Sequence, residues 1–166
     1  MKKIVLLLLF FITISFSKGV DDGVYALNDK DYKSAFQIFS KYAKYKNSFA
    51  EYNLGLMYYE GLWVKKDLKK AIFYFTNSAN RGNLEAQNIL AFIYYEGNKS
   101  LQNYKKALYW YEKASAQEDS IAQYYLAKFY LLGLGVKVNI KKAKDMFEKS
   151  CDNGYEKACI ERDKLD

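Results

Sequence analysis

Few residues of this 166-residue chain could do catalytic chemistry, because it contains no histidine and only two cysteines. The absence of histidine excludes histidine-ligated zinc, the Ser-His-Asp and Cys-His nucleophiles and a histidine pH switch. Ser15 and Lys18 have the Ser-x-x-Lys spacing of a serine nucleophile and its base, but they straddle the expected cleavage site of a targeting segment described below. The sequence therefore predicts no catalytic residue, no metal site and no cofactor.

Charged side chains recur along the chain without forming a recognisable site. Glu60 and Glu96 each precede a glycine and lie 36 residues apart, and paired carboxylates can act as general acid and base. Exposed acids at helix ends explain this pair better. Pairs of lysines occur at 65–66, 69–70, 105–106 and 141–142. Because the net charge is only +7, we interpret them as a solvated basic stripe and predict no nucleic-acid partner.

The elements that position these side chains follow from an internal repeat of 36 residues. Six columns keep this step: Ala50, Ala86, Ala122 and Ala158; Leu54, Leu90 and Leu126; Tyr58, Tyr94 and Tyr130; Gly61, Gly97 and Gly133; Ala71, Ala107 and Ala143; Phe75, Tyr111 and Phe147. A step shared by all six indicates three full units, 48–83, 84–119 and 120–155. We expect a shorter, degenerate unit at 19–47 and a capping helix at 156–166.

Each unit is predicted to form two antiparallel helices. In the first full unit, Ala50, Leu54 and Tyr58 share one helical face, and a second helix with the same spacing follows a glycine-containing loop. Asp67 is the expected N-cap of that second helix. Neither helix can bury its apolar stripe alone, so neighbouring units must stack. The predicted fold class is all-α, an α-solenoid of stacked antiparallel helix pairs.

Residues 1–17 have the pattern of a secretory signal peptide. Lys2 and Lys3 are followed by an almost unbroken apolar run of 13 residues, 4–16, and small residues flank Phe16. A permanent membrane anchor is disfavoured because spanning a bilayer takes about 20 residues. We expect cleavage after Ser17, no stable membrane insertion afterwards, and a mature periplasmic or secreted protein with 24 basic and 19 acidic residues.

The repeat motif resembles a known family. Its first copy reads Ala50-x3-Leu54-Gly55-x2-Tyr58-x2-Gly61 and then Val64-x2-Asp67-x2-Lys70-Ala71, which is similar to the Sel1-like repeat, a relative of the tetratricopeptide repeat. The next two units continue the pattern, with Asn98-Lys99-Ser100 replacing the loop Gly-Val in the second, and the degenerate unit is closer to the tetratricopeptide form. This resemblance implies a solenoid that binds other proteins.

The two cysteines carry a second resemblance. The run Glu148-Lys149-Ser150-Cys151-Asp152-x6-Cys159 is similar to the Helicobacter cysteine-rich proteins, which are secreted and join helices by disulfides at Cys-x7-Cys spacing. The resemblance implies a disulfide between Cys151 and Cys159, and two free buried thiols are the alternative. Two thiolates without histidine cannot complete a tetrahedral zinc site. Because those proteins are associated with penicillin binding and weak β-lactam hydrolysis, a β-lactamase is the alternative function, by resemblance only.

By analogy with the tetratricopeptide pattern, one face of each first helix lines the inner wall of a concave groove. The side chains assigned to this wall are Tyr52, Leu56, Tyr59 and Glu60; Asn88, Phe92, Tyr95 and Glu96; and Tyr124, Lys128 and Leu131. Tyr58, Tyr94 and Tyr130 are assigned to packing instead. A wall that mixes aromatic and apolar groups with few charges is typical of binding surfaces. The sequence thus predicts an exported monomer that binds a protein or peptide in this groove; ordinary helix packing and a purely structural envelope module are the alternatives.

Overall fold

The structure is a computed structural model that describes residues 19–97 and 101–165, and within them every regular element is a helix. The helices are α1 (19–28), α2 (Tyr32–Ala43), α3 (Ser48–Glu60), α4 (Leu68–Asn80), α5 (Leu84–Glu96), α6 (Tyr104–Ser115), α7 (Ser120–Leu132), α8 (Ile140–Asp152) and α9 (Glu156–Asp163). The predicted all-α fold class is confirmed. The predicted signal peptide and the loop Asn98-Lys99-Ser100 lie outside the described residues.

The chain divides into two compact units, Met1–Asn83 and Leu84–Asp166. In the first unit, α3 packs against both α2 and α4. In the second unit, each helix from α5 to α9 packs against the next one along the chain. Consecutive helices are therefore the packing partners within each unit, as expected for a repeat whose contacts are local.

Helix boundaries follow from capping residues. The Asp67 side chain accepts a hydrogen bond from the Lys70 backbone N–H at 3.0 Å, so the predicted N-cap of α4 is confirmed. At the starts of α2, α3, α6, α7 and α8, the capping side chain likewise accepts a hydrogen bond from the backbone N–H three residues later. These capping residues are Asp31, Asn47, Asn103, Asp119 and Asn139. Helices α3 and α7 are followed by the capping residues Gly61 and Gly133, whose φ angles of 80° and 69° are left-handed and suit glycine.

The repeat columns form the core. All alanines of the two alanine columns are fully buried, and so is Ala35, one repeat before Ala71. The aromatic column is buried to the same degree, with Phe75 and Phe147 at 0% and Tyr111 at 1% exposure. Alanine at these positions allows neighbouring helices to approach closely, and the aromatic ring fills the space beside them. The 36-residue step in the sequence therefore corresponds to residues that occupy the same buried position in successive repeats.

The tyrosine column is the exception to this burial. Tyr130 is buried, but Tyr58 and Tyr94 are only half-buried, and the fully packed position is one residue earlier, at Met57 and Phe129. Lysine ammonium groups lie over all three rings, 5.1, 5.0 and 4.1 Å from the ring centroids, contributed in order by Lys70, Lys106 and Lys142. The assignment of this column to packing therefore holds for Tyr130, whereas Tyr58 and Tyr94 are corrected to positions at the edge of the core. The second lysine of three of the four pairs, 69–70, 105–106 and 141–142, therefore lies over a ring of this column.

In each full repeat, a buried polar side chain of the first helix is hydrogen-bonded to an exposed polar side chain at the end of the second helix. Glu51, only 4% exposed, accepts a hydrogen bond from Arg81 Nε at 3.0 Å. At the equivalent places, Gln117 Nε2 donates to Gln87 Oε1 at 2.8 Å, and Asn153 Nδ2 donates to Gln123 Oε1 at 3.0 Å. All three pairs are separated by 30 residues and join the start of the first helix to the end of the second.

The last two helices are joined covalently. Cys151 of α8 and Cys159 of α9 form a disulfide with a Cα–Cα distance of 4.9 Å. Among the described residues no cysteine is free. Helix α9 has eight residues and packs against α8, so the disulfide fastens a short terminal helix that contributes one fully buried residue, Ala158.

Candidate partner-binding face

The residues assigned to the groove wall share one face of each first helix. Tyr52, Leu56 and Tyr59 follow one another at steps of four and three residues along α3, and α5 and α7 repeat this spacing. Side chains at such steps lie one above another on a helix. The wall residues are half-buried or exposed, whereas Leu54 and Met57 of the same helix are fully buried. Their role in binding stays a prediction.

In the first unit, the wall tyrosines also support the core. The rings of Tyr52 and Tyr59 lie 6.0 and 6.4 Å from the buried ring of Phe75. The Lys66 ammonium lies 5.2 Å from the Tyr59 ring centroid. Glu60 is exposed at the last residue of α3, which agrees with its interpretation as a helix-end acid. Each tyrosine therefore presents one side to Phe75 and keeps part of its surface accessible.

In the second unit, the wall contains an exposed aromatic anchor and a lysine among tyrosines. Phe92 of α5 is 45% exposed. On α7, the Lys128 ammonium lies 5.8, 5.9 and 5.8 Å from the ring centroids of Tyr95, Tyr124 and Tyr125. We call these four residues, Tyr95, Tyr124, Tyr125 and Lys128, the Lys128 cluster. It brings together residues of α5 and α7 that are about one repeat apart in sequence.

The charge of Lys128 is stabilised by the tyrosines rather than by an acid. Partial burial acts to lower the pKa of Lys128, but the electrostatic interaction and hydrogen bond with Tyr95, together with Tyr124 and Tyr125, outweigh it, so the pKa is raised. In the described parts of the chain, no carboxylate lies within ion-pair distance of the Lys128 ammonium. The cluster therefore presents a half-buried positive charge without a counter-ion.

The aromatic surface continues on both sides of Lys128. Toward α5, the Tyr95 ring lies 5.6 Å from both Tyr125 and the buried Phe129. Toward α9, the Tyr124 ring lies 5.0 Å from Tyr155, which caps that helix. These contacts pack the rings that surround the ammonium group against neighbouring aromatic side chains.

Two polar groups of this unit are buried without a partner. Among the described residues, Asn88 Oδ1 and Tyr111 Oη make no hydrogen bond. Asn88 stands in the column where the neighbouring repeats have Tyr52 and Tyr124, whose rings pack on the aromatic column. Burial, with smaller contributions from neighbouring tyrosines and acids, raises the pKa of Tyr111 well above its usual range. The neighbouring repeats thus have a tyrosine ring packed on a phenylalanine ring at these two positions, whereas the middle repeat has the amide of Asn88 and the phenol of Tyr111.

Sequence reasoning missed several members of the site. Tyr125 and Tyr155 belong to the aromatic surface but were not assigned to the wall. One signal for Tyr125 was its spacing of three residues from Lys128, because side chains three residues apart are neighbours on a helix surface. The remaining wall residues have simpler surroundings: Glu96 is exposed at the end of α5, and Leu131 packs beside the small core around Phe147.

Within residues 19–97 and 101–165, no three histidine, cysteine, aspartate or glutamate side chains lie close enough together to hold a metal ion. In the same residues, no helix is long and apolar enough to cross a bilayer.

The sequence comparisons identify one repeat family. The Sel1 repeat model matches residues 48–83, 84–119 and 120–155, which is more than half of the chain. No curated protein matches the chain in sequence.

Solved structures give the same fold. A Sel1 repeat protein from Oxalobacter formigenes is 28% identical with a TM-score of 0.79, and the match covers 90% of this chain and 62% of that one. A protective antigen of uropathogenic Escherichia coli with an SLR fold is 25% identical with a TM-score of 0.74, covering 78% and 28%. Helicobacter pylori cysteine-rich protein B is 26% identical with a TM-score of 0.59, covering 78% and 92%. The chain spans less than two thirds of the first two.

Proposed function

This chain belongs to the Sel1 repeat family, and from that premise we propose that it is an exported scaffold that binds a protein or peptide through the exposed faces of its first helices. Sel1 repeats generally mediate protein–protein interactions. The proposal adds to this the face used, the compartment and the monomeric state.

The observation that carries the proposal is the surface of α5 and α7 in the second unit. Phe92 of α5 is exposed, and on α7 the half-buried Lys128 ammonium lies among three tyrosine rings. Aromatic residues with a preformed conformation are the groups that most often dominate binding energy.

Export is supported by two independent features. The disulfide between Cys151 and Cys159 is typical of proteins that fold outside the reducing cytoplasm. The pattern of residues 1–17 is typical of a secretory signal peptide.

Site-specific photo-crosslinking tests the proposed face. A photoreactive phenylalanine analogue is placed either at Phe92 of α5 or at Tyr109 of α6, and cells expressing each variant are irradiated. The two side chains are matched in exposure, at 45% and 47%, but Tyr109 belongs to a second helix. We expect discrete crosslinked products from position 92 only. Equal labelling from both positions, or labelling from position 109 alone, would contradict the proposal.

A further inference from the structure

We infer that the Lys128 cluster binds the side-chain carboxylate of an aspartate or glutamate within an extended segment of the partner. This inference rests on the proposed function and specifies the chemistry of the partner at one position. It concerns the second unit alone, because all four residues of the cluster lie on α5 and α7.

Lys128 lacks a counter-ion among the described residues. Lys128 is half-buried, its ammonium group is within 6 Å of three ring centroids, and the described residues supply no carboxylate to it. Taking a charge partly out of water is costly unless an opposite charge or hydrogen bonds replace the water. Neutral tyrosines offer hydrogen bonds and ring faces but no negative charge, so a partner carboxylate would supply the missing counter-ion of the ammonium group.

Among the described residues, Lys128 differs from the other lysines that lie over aromatic rings because three rings, rather than one, surround its ammonium group. Lys142 Nζ donates a hydrogen bond to Tyr130 Oη at 2.6 Å, and Tyr130 Oη donates to Glu112 at 3.4 Å. That network already contains its own negative charge. Lys128 is surrounded by tyrosine rings but has no acid corresponding to Glu112. This arrangement is expected where the partner molecule supplies the acid.

The continuing aromatic surface indicates which carboxylate fits. Tyr95 extends the surface toward α5, and Tyr124 with Tyr155 extends it toward α9. A chain lying on this surface would pass over Lys128 and continue on the far side. A side-chain carboxylate within a segment meets this geometry, whereas a terminal carboxylate would leave half of the aromatic surface unused.

A random peptide library displayed on phage, panned against the mature, oxidised chain, provides the probe. Selected peptides are synthesised with amidated C termini, and their dissociation constants are measured by calorimetry. We expect an Asp or Glu beside an apolar residue. Replacing that acid by its amide should weaken binding about tenfold to a hundredfold, the range for hydrogen bonds between charged groups.

Variants of the chain identify the lysine responsible. Lys128→Met, which keeps the aliphatic stem, should weaken binding by the same factor and should remove the effect of the acid-to-amide change in the peptide. Lys128→Arg should keep most of the affinity because it keeps the charge. Lys113→Met is the matched control, since its ammonium lies 5.6 Å from the Tyr109 ring on α6, and it should leave binding unchanged. Circular dichroism checks that each variant is folded.

The outcomes separate this inference from the proposed function. If Phe92→Ala abolishes binding but neither the peptide acid nor Lys128 matters, the proposed face is right and the inference is wrong. If binding requires a free C terminus, the inferred side-chain carboxylate is wrong. If Phe92→Ala and Lys128→Met both leave the affinity unchanged, or if panning yields no binder, the proposed function fails and the inference fails with it.

Discussion

Removing Arg81 should destabilise the first unit through the acid that it leaves behind. Glu51 is 4% exposed and its Oε2 lies 3.0 Å from Arg81 Nε, whereas the Arg81 side chain is 37% exposed. Breaking a fully buried ion pair costs about 3–5 kcal/mol because one charge stays buried and unpaired. Water reaches Arg81, so the interaction is screened, and we expect Arg81→Ala to lower the free energy of unfolding by about 1–3 kcal/mol.

The other repeats of the chain provide the compensating change. Gln87 with Gln117 occupies the equivalent positions in the second full repeat and needs no charge. The double variant Glu51→Gln with Arg81→Gln reproduces this neutral pair. We expect it to lie within about 1 kcal/mol of the unmodified chain, since one hydrogen bond replaces another and no charge is left buried.

Urea unfolding of the oxidised chain, followed by circular dichroism, measures both effects. Lys164→Ala is the control, because its ion pair with Glu161 has a similar distance, 2.8 Å, but is more exposed, and such pairs contribute about 0–1 kcal/mol. The reasoning is refuted if Arg81→Ala costs no more than Lys164→Ala. It is also refuted if the double variant is as unstable as Arg81→Ala alone.

Four further outcomes are expected. Thiol labelling of the denatured, non-reduced mature protein should find no free cysteine, and labelling of both cysteines would show that the disulfide does not form. Reducing the disulfide Cys151–Cys159 should destabilise α9 by about 2–3 kcal/mol, as measured by hydrogen exchange. Hydrogen bonds from Ser34 lower the pKa of Asp31, so its capping contribution should be complete above pH 3.8 and lost as the pH falls through the lowered pKa; an NMR titration midpoint at or above 3.8 would disagree. Tyr111→Phe, the residue that the adjacent repeats carry, should raise the free energy of unfolding by up to about 1 kcal/mol by removing an unpartnered buried hydroxyl; a loss of stability in thermal unfolding would mean that the hydroxyl has a partner. Any turnover of a chromogenic β-lactam should be slow and without a covalent serine adduct, and mass spectrometry that finds one modified serine would reverse this expectation.

The sequence was sufficient for the fold because its periodicity is a packing property. Alanines at 50, 86, 122 and 158 keep a step of 36 since each lies where two helices approach, and all of them are fully buried. Asp67 could be assigned as an N-cap for a local reason, because the bond it makes spans three residues. Features set by neighbours in sequence, or by strict repetition, were therefore predictable.

Features that depend on contacts between helices could not be predicted from the sequence. The pairing of Glu51 with Arg81 requires knowing that the end of α4 lies beside the start of α3, 30 residues away. Whether Met57 or Tyr58 is buried depends on how α3 is rotated about its own axis. Both residues are apolar neighbours in sequence, so the pattern of apolar residues does not determine this rotation. Whether a carboxylate lies near Lys128 depends on all the helices that pack around it. No motif in the sequence could therefore predict that Lys128 lacks a counter-ion.

The central claim is that the face of α5 and α7 binds a partner, and the affinity of the partner recovered by crosslinking tests it most directly. Its dissociation constant is measured for the unmodified chain, for Phe92→Ala and for Tyr109→Ala, two exposed aromatics of matched accessibility. We expect Phe92→Ala to weaken binding about thirtyfold or more, the effect of truncating a true anchor, and Tyr109→Ala to leave it unchanged. Equal effects of the two substitutions, or no effect of Phe92→Ala, would contradict the claim.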